Sequence, residues 1–201
     1  MCARISLKVV PLCHDDSKNS NKANIKTYII TSCIPILKRF GVIILNTGGT
    51  FNKIYDPIKG ELVVPRDNKA VEDILERIHL AIPVRGLIYK DSLDFDRNDR
   101  AALLEAIVQS RQDVVVVHGT DTMDLSAAFV ASHVEDRCIV FTGSMVPYSI
   151  DGSEASANLM LAIAKVRYSP TPGVYIAMHG IVDRYDRVVK NRQRGVFESQ
   201  V

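Results

Sequence analysis

From position 41 onward, unbroken apolar runs alternate with stretches in which apolar residues recur every three or four positions. The first run, 41–45 (Gly-Val-Ile-Ile-Leu), predicts a strand buried on both faces and ends in Asn46-Thr47-Gly48-Gly49-Thr50. Residues 51–64 follow with Asp56-Pro57 and Lys59-Gly60 as turn punctuation and read as a hairpin rather than a helix. Val71, Ile74, Leu75 and Ile78 form a helical stripe over 68–80, and 84–89 is a second strand. A helix over 99–110, capped by Asp96 or Asn98, would bury Leu103, Leu104, Ile107 and Val108. The run 113–117 (Asp-Val-Val-Val-Val) is the clearest strand, with a helix after it reaching about 133. Strand 137–141, a helix from 153 or 154 to 166, and strand 173–178 continue the alternation, and 181–189 reads as a hairpin or edge segment. No internal repeat is visible. The pattern predicts an α/β fold: an open, mostly parallel, doubly wound sheet with helices on both faces.

Parallel strands point their carboxyl ends the same way, and open α/β sheets bind ligands along that rim. Four predicted strands end in small hydroxylated or acidic residues: Thr50, Ser92, Thr120 with Asp121, and Ser144. Two of these ends carry Gly-Thr. Any one of them is explained by the ordinary use of Ser, Thr, Asp and Gly to start loops and cap helices; four together favour a shared site. The turn after the first strand lacks the GxGxxG that opens into a dinucleotide-binding helix, and no GxxxxGK[ST] phosphate loop occurs.

Composition narrows the function without naming it. The chain has 201 residues, a formal net charge of +2 and no Trp, so neither a basic nucleic-acid surface nor an aromatic stacking platform is indicated. Nothing suggests membrane association. The four cysteines form no CxxC pair, and no His/Cys cluster has zinc-ligand spacing, so no metal and no cofactor is expected. Cys138 reads as a small buried hydrophobe, and cysteine usage suggests a reducing, cytoplasmic compartment. Residues 1–40 differ from the 41–201 body. The segment 15–26 is polar and aperiodic, and the apolar run 28–37 is too short to span a bilayer, is interrupted by Pro35, and lacks a signal-peptide cleavage site. It is either an extra element docked on the domain or sequence upstream of a native start near Leu37.

A threonine hydroxyl is a weak nucleophile at neutral pH and needs a base or proton relay. No histidine is placed for a Ser-His-Asp triad; His118, the only one at a site-like strand end, reads as packing or as support behind the site. A relay could instead use Thr120, Lys190 and Asp121, the carboxylate orienting a lysine that accepts a proton. Backbone N–H groups of the glycine-containing turns could stabilise an oxyanion. These residues fit acyl transfer or amide hydrolysis without a metal.

Thr47-Gly48-Gly49-Thr50, followed by His118-Gly119-Thr120-Asp121-Thr122-Met123, resembles the bacterial-type L-asparaginase/glutaminase family of threonine amidohydrolases. Asp91-Ser92, Thr142-Gly143-Ser144-Met145-Val146-Pro147, Asp151-Gly152 with Asn158-Leu159, and Val189-Lys190-Asn191 match in the family's order, covering about 41–195. The resemblance implies an asparaginase N-terminal-domain-like fold. It also implies hydrolysis of a side-chain amide, L-asparagine or possibly glutamine, through an acyl-enzyme on Thr50. It further implies Thr120, Asp121 and Lys190 as the second catalytic group, with Tyr55 as a candidate to support the nucleophile. Substrate contacts would come from Gly49, Ser92, Leu93, Thr120, Asp121 and Ser144. Ser92 would meet the α-carboxylate, Asp121 the α-amino group, and Ser144 would lie where a backbone carbonyl nears the leaving amide. The partner is then a small-molecule amino-acid amide, and a homo-oligomer (dimer or tetramer) is expected.

Two departures qualify the likeness. The chain ends soon after Lys190, so it looks like the short, single-domain form of the family or a fragment of a longer member, and Leu93 stands where a polar residue is usual. Recognition of the α-amino group is then short of partners unless Asp94 or Glu154 compensates, which predicts weak amino-acid affinity. The alternatives are an amidase acting on another amide or carrier, and a non-catalytic amino-acid-binding module.

Overall fold

The computed structural model describes residues 41–200. The extension 1–40, read as a docked element or as sequence upstream of the native start, lies outside the described residues. Within them, six strands form one sheet in the order β4-β1-β5-β6-β7-β8, comprising β1 (Val42–Gly48), β4 (Val84–Lys90), β5 (Asp113–Val117), β6 (Cys138–Thr142), β7 (Gly173–Met178) and β8 (Ile181–Arg184). The first five run parallel, and β8 alone pairs antiparallel, on β7. Two hairpins stand apart from the sheet: β2 (Ile54–Asp56) with β3 (Glu61–Val63), and β9 (Val188–Asn191) with β10 (Val196–Ser199).

Side chains alternate across a strand, so each central strand feeds two cores. On one face, Val114 and Val116 of β5 join Leu103, Ala106 and Ile107 of α2 (Arg97–Ser110) and Met123, Ala127 and Val130 of α3 (Met123–Ala131). On the other, Val115 and Val117 join Val71, Ile74 and Leu75 of α1 (Lys69–Arg77) and Ala155, Leu159, Ala162 and Ile163 of α4 (Gly152–Tyr168). The doubly wound arrangement follows from this. Residues 114–117 of β5 are all fully buried, and each valine contributes roughly 1.5–3 kcal/mol. Cys138 is buried in the second core, and burial pushes its thiol up to about 11, so it is inert.

The helix α2 begins slightly earlier than its hydrophobic pattern suggests. Asp96 caps it, accepting from the Asp99 N–H while the Asp99 carboxylate accepts from the Asp96 N–H. Its buried face is Leu103, Ala106 and Ile107; Leu104 only flanks the core and Val108 is half exposed. The hairpin expected over 51–64 starts later, after a 3-10 turn over Thr50–Asn52. The segment expected as a hairpin over 181–189 divides. β8 stays on the sheet, a 3-10 turn over Tyr185–Arg187 redirects the chain, and β9 pairs forward with β10.

Strand register sets the height of the loops. Asn46 of β1 is level with Val117 of β5, which is level with Thr142 of β6. The chain segments beyond Asn46, Val117 and Thr142 therefore run toward one rim side by side. The edge strand β4 joins them through an irregular register that pairs Gly48 with Lys90. No helix among the described residues is long and apolar enough to cross a membrane.

Candidate active site

The rim is packed backbone to backbone, and glycine is what permits it. A Cβ on Gly49 would lie 2.4 Å from the Gly119 Cα and 2.5 Å from the Gly119 N, and Gly49 has φ +74°. A Cβ on Gly119 would fall 2.5 Å from the Ser92 Oγ, and one on Gly143 would fall 2.4 Å from the His118 carbonyl oxygen. The four strand ends with hydroxyl or acid residues thus meet, as expected. Thr122 ties two of them by donating its hydroxyl to the Ser92 carbonyl at 2.7 Å.

Thr50 opens the 3-10 turn at the end of β1 and is half-buried. Three asparagines hold that turn from beneath. Asn46 Nδ2 donates to Asn52 Oδ1 and Asn68 Oδ1, both at 3.1 Å, and Asn52 Nδ2 donates to Asn46 Oδ1 at 2.7 Å and to the Gly48 carbonyl at 3.0 Å. From above, the Tyr148 N–H donates to the Phe51 carbonyl and the Ser149 hydroxyl to the Lys53 carbonyl. Thr47 donates its hydroxyl to the Val117 carbonyl at 2.9 Å and is fully buried, which leaves it a structural brace.

The third element comes from the far end of the chain. The hairpin β9–β10 folds back over the α3 face with Val188 and Phe197 in its core. It delivers Lys190 Nζ to 2.8 Å from both Thr120 Oγ1 and Asp121 Oδ1. Thr120 is almost fully buried, and the Lys190 side chain is only 12% exposed. Arg192, beyond the strand, adds a second cation: Nη1 donates to Asp121 Oδ1 at 2.9 Å and Nη2 to the Asp121 carbonyl at 2.8 Å.

The remaining predicted residues are distributed as follows. Ser92 is buried and its Oγ has no hydrogen-bond partner, while Leu93 beside it is 68% exposed. Ser144 is buried with its hydroxyl turned inward to the Val146 carbonyl at 2.6 Å. Tyr55 sits on β2, opposite Leu62, with 62% of its surface exposed. The Gly49 N–H donates to the Lys90 carbonyl and the Gly48 N–H to Asn46 Oδ1, so these two glycine amides serve the fold and are not oxyanion donors. Glu154 accepts from the N–H groups of Met145 and Val146 and from His179 Nε2, bracing the loop after β6. The His179 tautomer is fixed because its Nδ1 accepts from the Phe197 N–H.

His118 is fully buried between Phe95 and Phe141. Its Nδ1 donates to the Gly119 carbonyl at 2.8 Å, which leaves Nε2 unprotonated and without a partner. Burial lowers its pKa to about 4, partly opposed by the Gly119 carbonyl. It is neutral at physiological pH and sealed from solvent, so its place is in packing. Burial also raises the Asp91 carboxyl, but the Lys53 ammonium at 2.6 Å and the N–H groups of Leu93 and Ser92 outweigh this and hold it below the ordinary carboxylate range.

Sequence reasoning missed Arg192, the asparagine cluster and the Lys53–Asp91 pair. Arg192 lies one position past β9, where strand alternation no longer dictates its side, so no pattern in the sequence pointed to it. A cleft of about 620 Å³ lies on the flank of the rim, between α1 and the Phe51–Ile54 segment, with Tyr148 donating to Asp73 at its wall. It is lined by neither Thr50, Thr120 nor Lys190.

A family model described as the N-terminal part of asparaginase matches residues 41–200, the whole described range. The chain belongs to the asparaginase family. It is similar to the L-asparaginase of Thermococcus kodakarensis, at 25% identity over 161 residues, 77% of this chain and 49% of that protein. It is also similar to a glutamyl-tRNA(Gln) amidotransferase component of Methanosarcina acetivorans, at 30% identity over 146 residues, 69% of this chain and 34% of that one. The solved structure of the thermostable Thermococcus kodakarensis L-asparaginase superposes with a TM-score of 0.70 at 25% identity, covering 79% of this chain and 51% of that one. A probable cytoplasmic L-asparaginase from Campylobacter jejuni shares the fold, with a TM-score of 0.64 at 23% identity over 80% of this chain and 53% of that one. The chain thus spans about half the length of these asparaginases, and less of the amidotransferase component. The family is one of amidohydrolases, and the expected α/β architecture is that of its asparaginase structures.

Proposed function

We propose that the chain hydrolyses a side-chain amide, with L-asparagine as the leading substrate, to the acid and ammonia through an acyl-enzyme on Thr50. The observation that carries this reading is the Lys190–Thr120–Asp121 contact, both bonds 2.8 Å, beside the Gly49–Gly119 packing that holds the Thr50 turn. In this scheme the Thr50 hydroxyl oxygen attacks the amide carbon and its proton passes to the amide nitrogen. The tetrahedral intermediate collapses with cleavage of the C–N bond, and the nitrogen leaves as ammonia after gaining a proton. A water then attacks the ester, and its proton returns to the threonine. Thr120 and Lys190 would move the proton for the water step, with Asp121 fixing the lysine. The Ser92 hydroxyl is unpartnered but sealed against Gly119, so contact with a substrate carboxylate would need the strand-end loop to open.

A second reading has a specific support. Similarity to the amidotransferase components is as high as similarity to the asparaginases, so an amide presented on another carrier is a competing substrate. Ammonia release from asparagine and glutamine by the purified protein tests the proposal, with Thr50→Ala and Lys190→Met as controls. Each substitution should lower kcat by at least about a hundredfold, in the range typical of lost general acid–base or nucleophilic groups. Release unaffected by Thr50→Ala would overturn the nucleophile. No release from either amide would favour another carrier or a binding module.

A further inference from the structure

Lys190 can serve Thr120 only while its ammonium stays within reach of Thr120 and Asp121 together, both at 2.8 Å. It rides on the hairpin β9–β10, which is fastened to the domain in two different ways. The side chains of Val188 and Phe197 are buried in the core. Apolar burial is non-directional: it keeps the hairpin on the domain without fixing its exact height. A hydrogen bond is directional and does fix it. The Phe197 N–H donates to His179 Nδ1 at 3.0 Å. Phe197 is the residue directly opposite Lys190 in the hairpin register.

His179 is built to hold that amide in one place. It opens the two-residue turn between β7 and β8, at φ +51°, with Gly180 after it at φ +80°. Hairpin turns with two positive φ values favour Asn, Asp or Gly at the first position, so the turn itself gives no reason for a histidine. The ring, however, is engaged at both nitrogens. Nε2 donates to Glu154 Oε1 at 2.8 Å, which leaves the Nδ1 lone pair to accept from Phe197. The ring also stands edge-on to that of Phe197, with centroids 5.9 Å apart. The His179 N–H donates to Asn158 Oδ1 at 2.9 Å, and Asn158 Nδ2 donates to the Gly143 carbonyl at 3.0 Å. Glu154 and Asn158 thus anchor His179 to the loop after β6, and His179 sets β10 against that anchor.

We propose that His179 is a positioning residue for the relay: through the Phe197 N–H it fixes the height of the β9–β10 hairpin and so keeps Lys190 on Thr120. The kinetic consequence rests on the amide-hydrolysis reading; the placing of Lys190 rests on geometry alone. In that reading Thr120 and Lys190 act in the second step. Water attacks the ester, the bond from the acyl carbon to the Thr50 oxygen breaks, and the proton lost by water ends on that oxygen. Loss of His179 therefore slows release of the acyl group and spares its formation.

His179→Gly and His179→Asn, made in the full chain, separate this role from the needs of the turn. Both residues suit a positive φ, so neither strains it. Glycine offers no acceptor to Phe197, whereas the asparagine Oδ1 offers one near the place of Nδ1. In His179→Gly, kcat for L-asparagine should fall about ten- to hundredfold, the loss expected when a reacting group is displaced by about 1 Å. About one equivalent of ammonia per chain should appear before the slow steady rate, with the acylated protein visible by intact mass. His179→Asn should return to within about threefold of the wild-type kcat. Trace labelling with acetic anhydride, read by peptide mass, needs no turnover. Relative to the exposed Lys59, Lys190 should label about fivefold or more faster in His179→Gly and near the wild-type rate in His179→Asn. Unchanged labelling of Lys190 in His179→Gly, or an asparagine variant no better than the glycine one, would overturn the proposal. Absence of ammonia release from the wild type would count against the hydrolase reading alone, with the labelling still deciding whether His179 positions Lys190.

Discussion

Gly49→Ala is the substitution whose cost the structure allows to be worked out in parts. The new Cβ would lie 2.4 and 2.5 Å from backbone atoms of Gly119, at a residue with φ +74° and ψ −172°. That backbone region is essentially glycine-only, and forcing a side chain into it costs about 1–3 kcal/mol. Overpacking against backbone adds about 1–3 kcal/mol, because no rotamer can relieve it. The sum is about 2–6 kcal/mol. Gly60→Ala separates the two parts: Gly60 has φ +70° on the exposed β2–β3 turn, and nothing lies within 4 Å of its Cβ position. It should cost only about 1–2 kcal/mol, the left-handed backbone contribution. Urea unfolding followed by circular dichroism compares the two. With m about 1–3 kcal/mol/M, Gly49→Ala should lower the midpoint by about 1 M or more, and Gly60→Ala by clearly less. Ammonia release should also fall in Gly49→Ala, because the loops bearing Thr50 and Thr120 must part. Equal midpoints for the two variants would refute the claim that the rim is closed by backbone contact.

Two further outcomes follow from buried polar groups. Asn52→Ala strips Asn46 of its tightest partner and frees the Gly48 carbonyl, so it should cost about 1–3 kcal/mol in urea unfolding and lower kcat more than it raises KM. For His118, the folded-state pKa of about 4 lies below the ordinary 6.5, so the unfolded chain binds the extra proton first as pH falls. The histidine's contribution is fully present above pH 6.5 and is lost between about 6.5 and 4, amounting to roughly 3 kcal/mol at about 1.4 kcal/mol per unit. Urea midpoints for the wild type and His118→Phe, measured from about pH 7 to 4.5, should diverge with the wild type falling faster; parallel curves would refute the assignment.

The sheet was legible because its strands are continuous apolar runs buried on both faces, as at 41–45 and 113–117, and its parallel character followed from the alternation with helices. The stripe on α2 was misplaced by counting large residues: Ala106 is small yet buried, and Val108 is large yet half exposed. The strand β10 escaped notice because Val196-Phe197-Glu198-Ser199 is short and polar at its end. At the site, Thr120, Asp121 and Lys190 could be brought together on paper through the family motifs, and the structure joins them by hydrogen bonds. The asparagine brace under Thr50 has no such signature, since Asn46, Asn52 and Asn68 are common loop residues in sequence and meet only after β1, its turn and the start of α1 have folded. Tyr55 illustrates the reverse case: five residues from Thr50 along the chain, it stands exposed on the β2–β3 hairpin.

The hairpin β9–β10 sets the order in which the machinery can come into being. Lys190 reaches a partner 70 residues earlier in the chain, and every strand of the six-stranded sheet precedes it. During synthesis from the N-terminus the hairpin is the last of these elements to emerge, although its separation from Thr120 is no greater than that between β1 and β5. A nascent chain therefore has the residues of its sheet and of the Thr50 turn before it has the lysine of the relay. A folding intermediate stalled at that point would have nearly native secondary structure and no means of moving a proton, which makes proton-relay competence a marker of the final docking step.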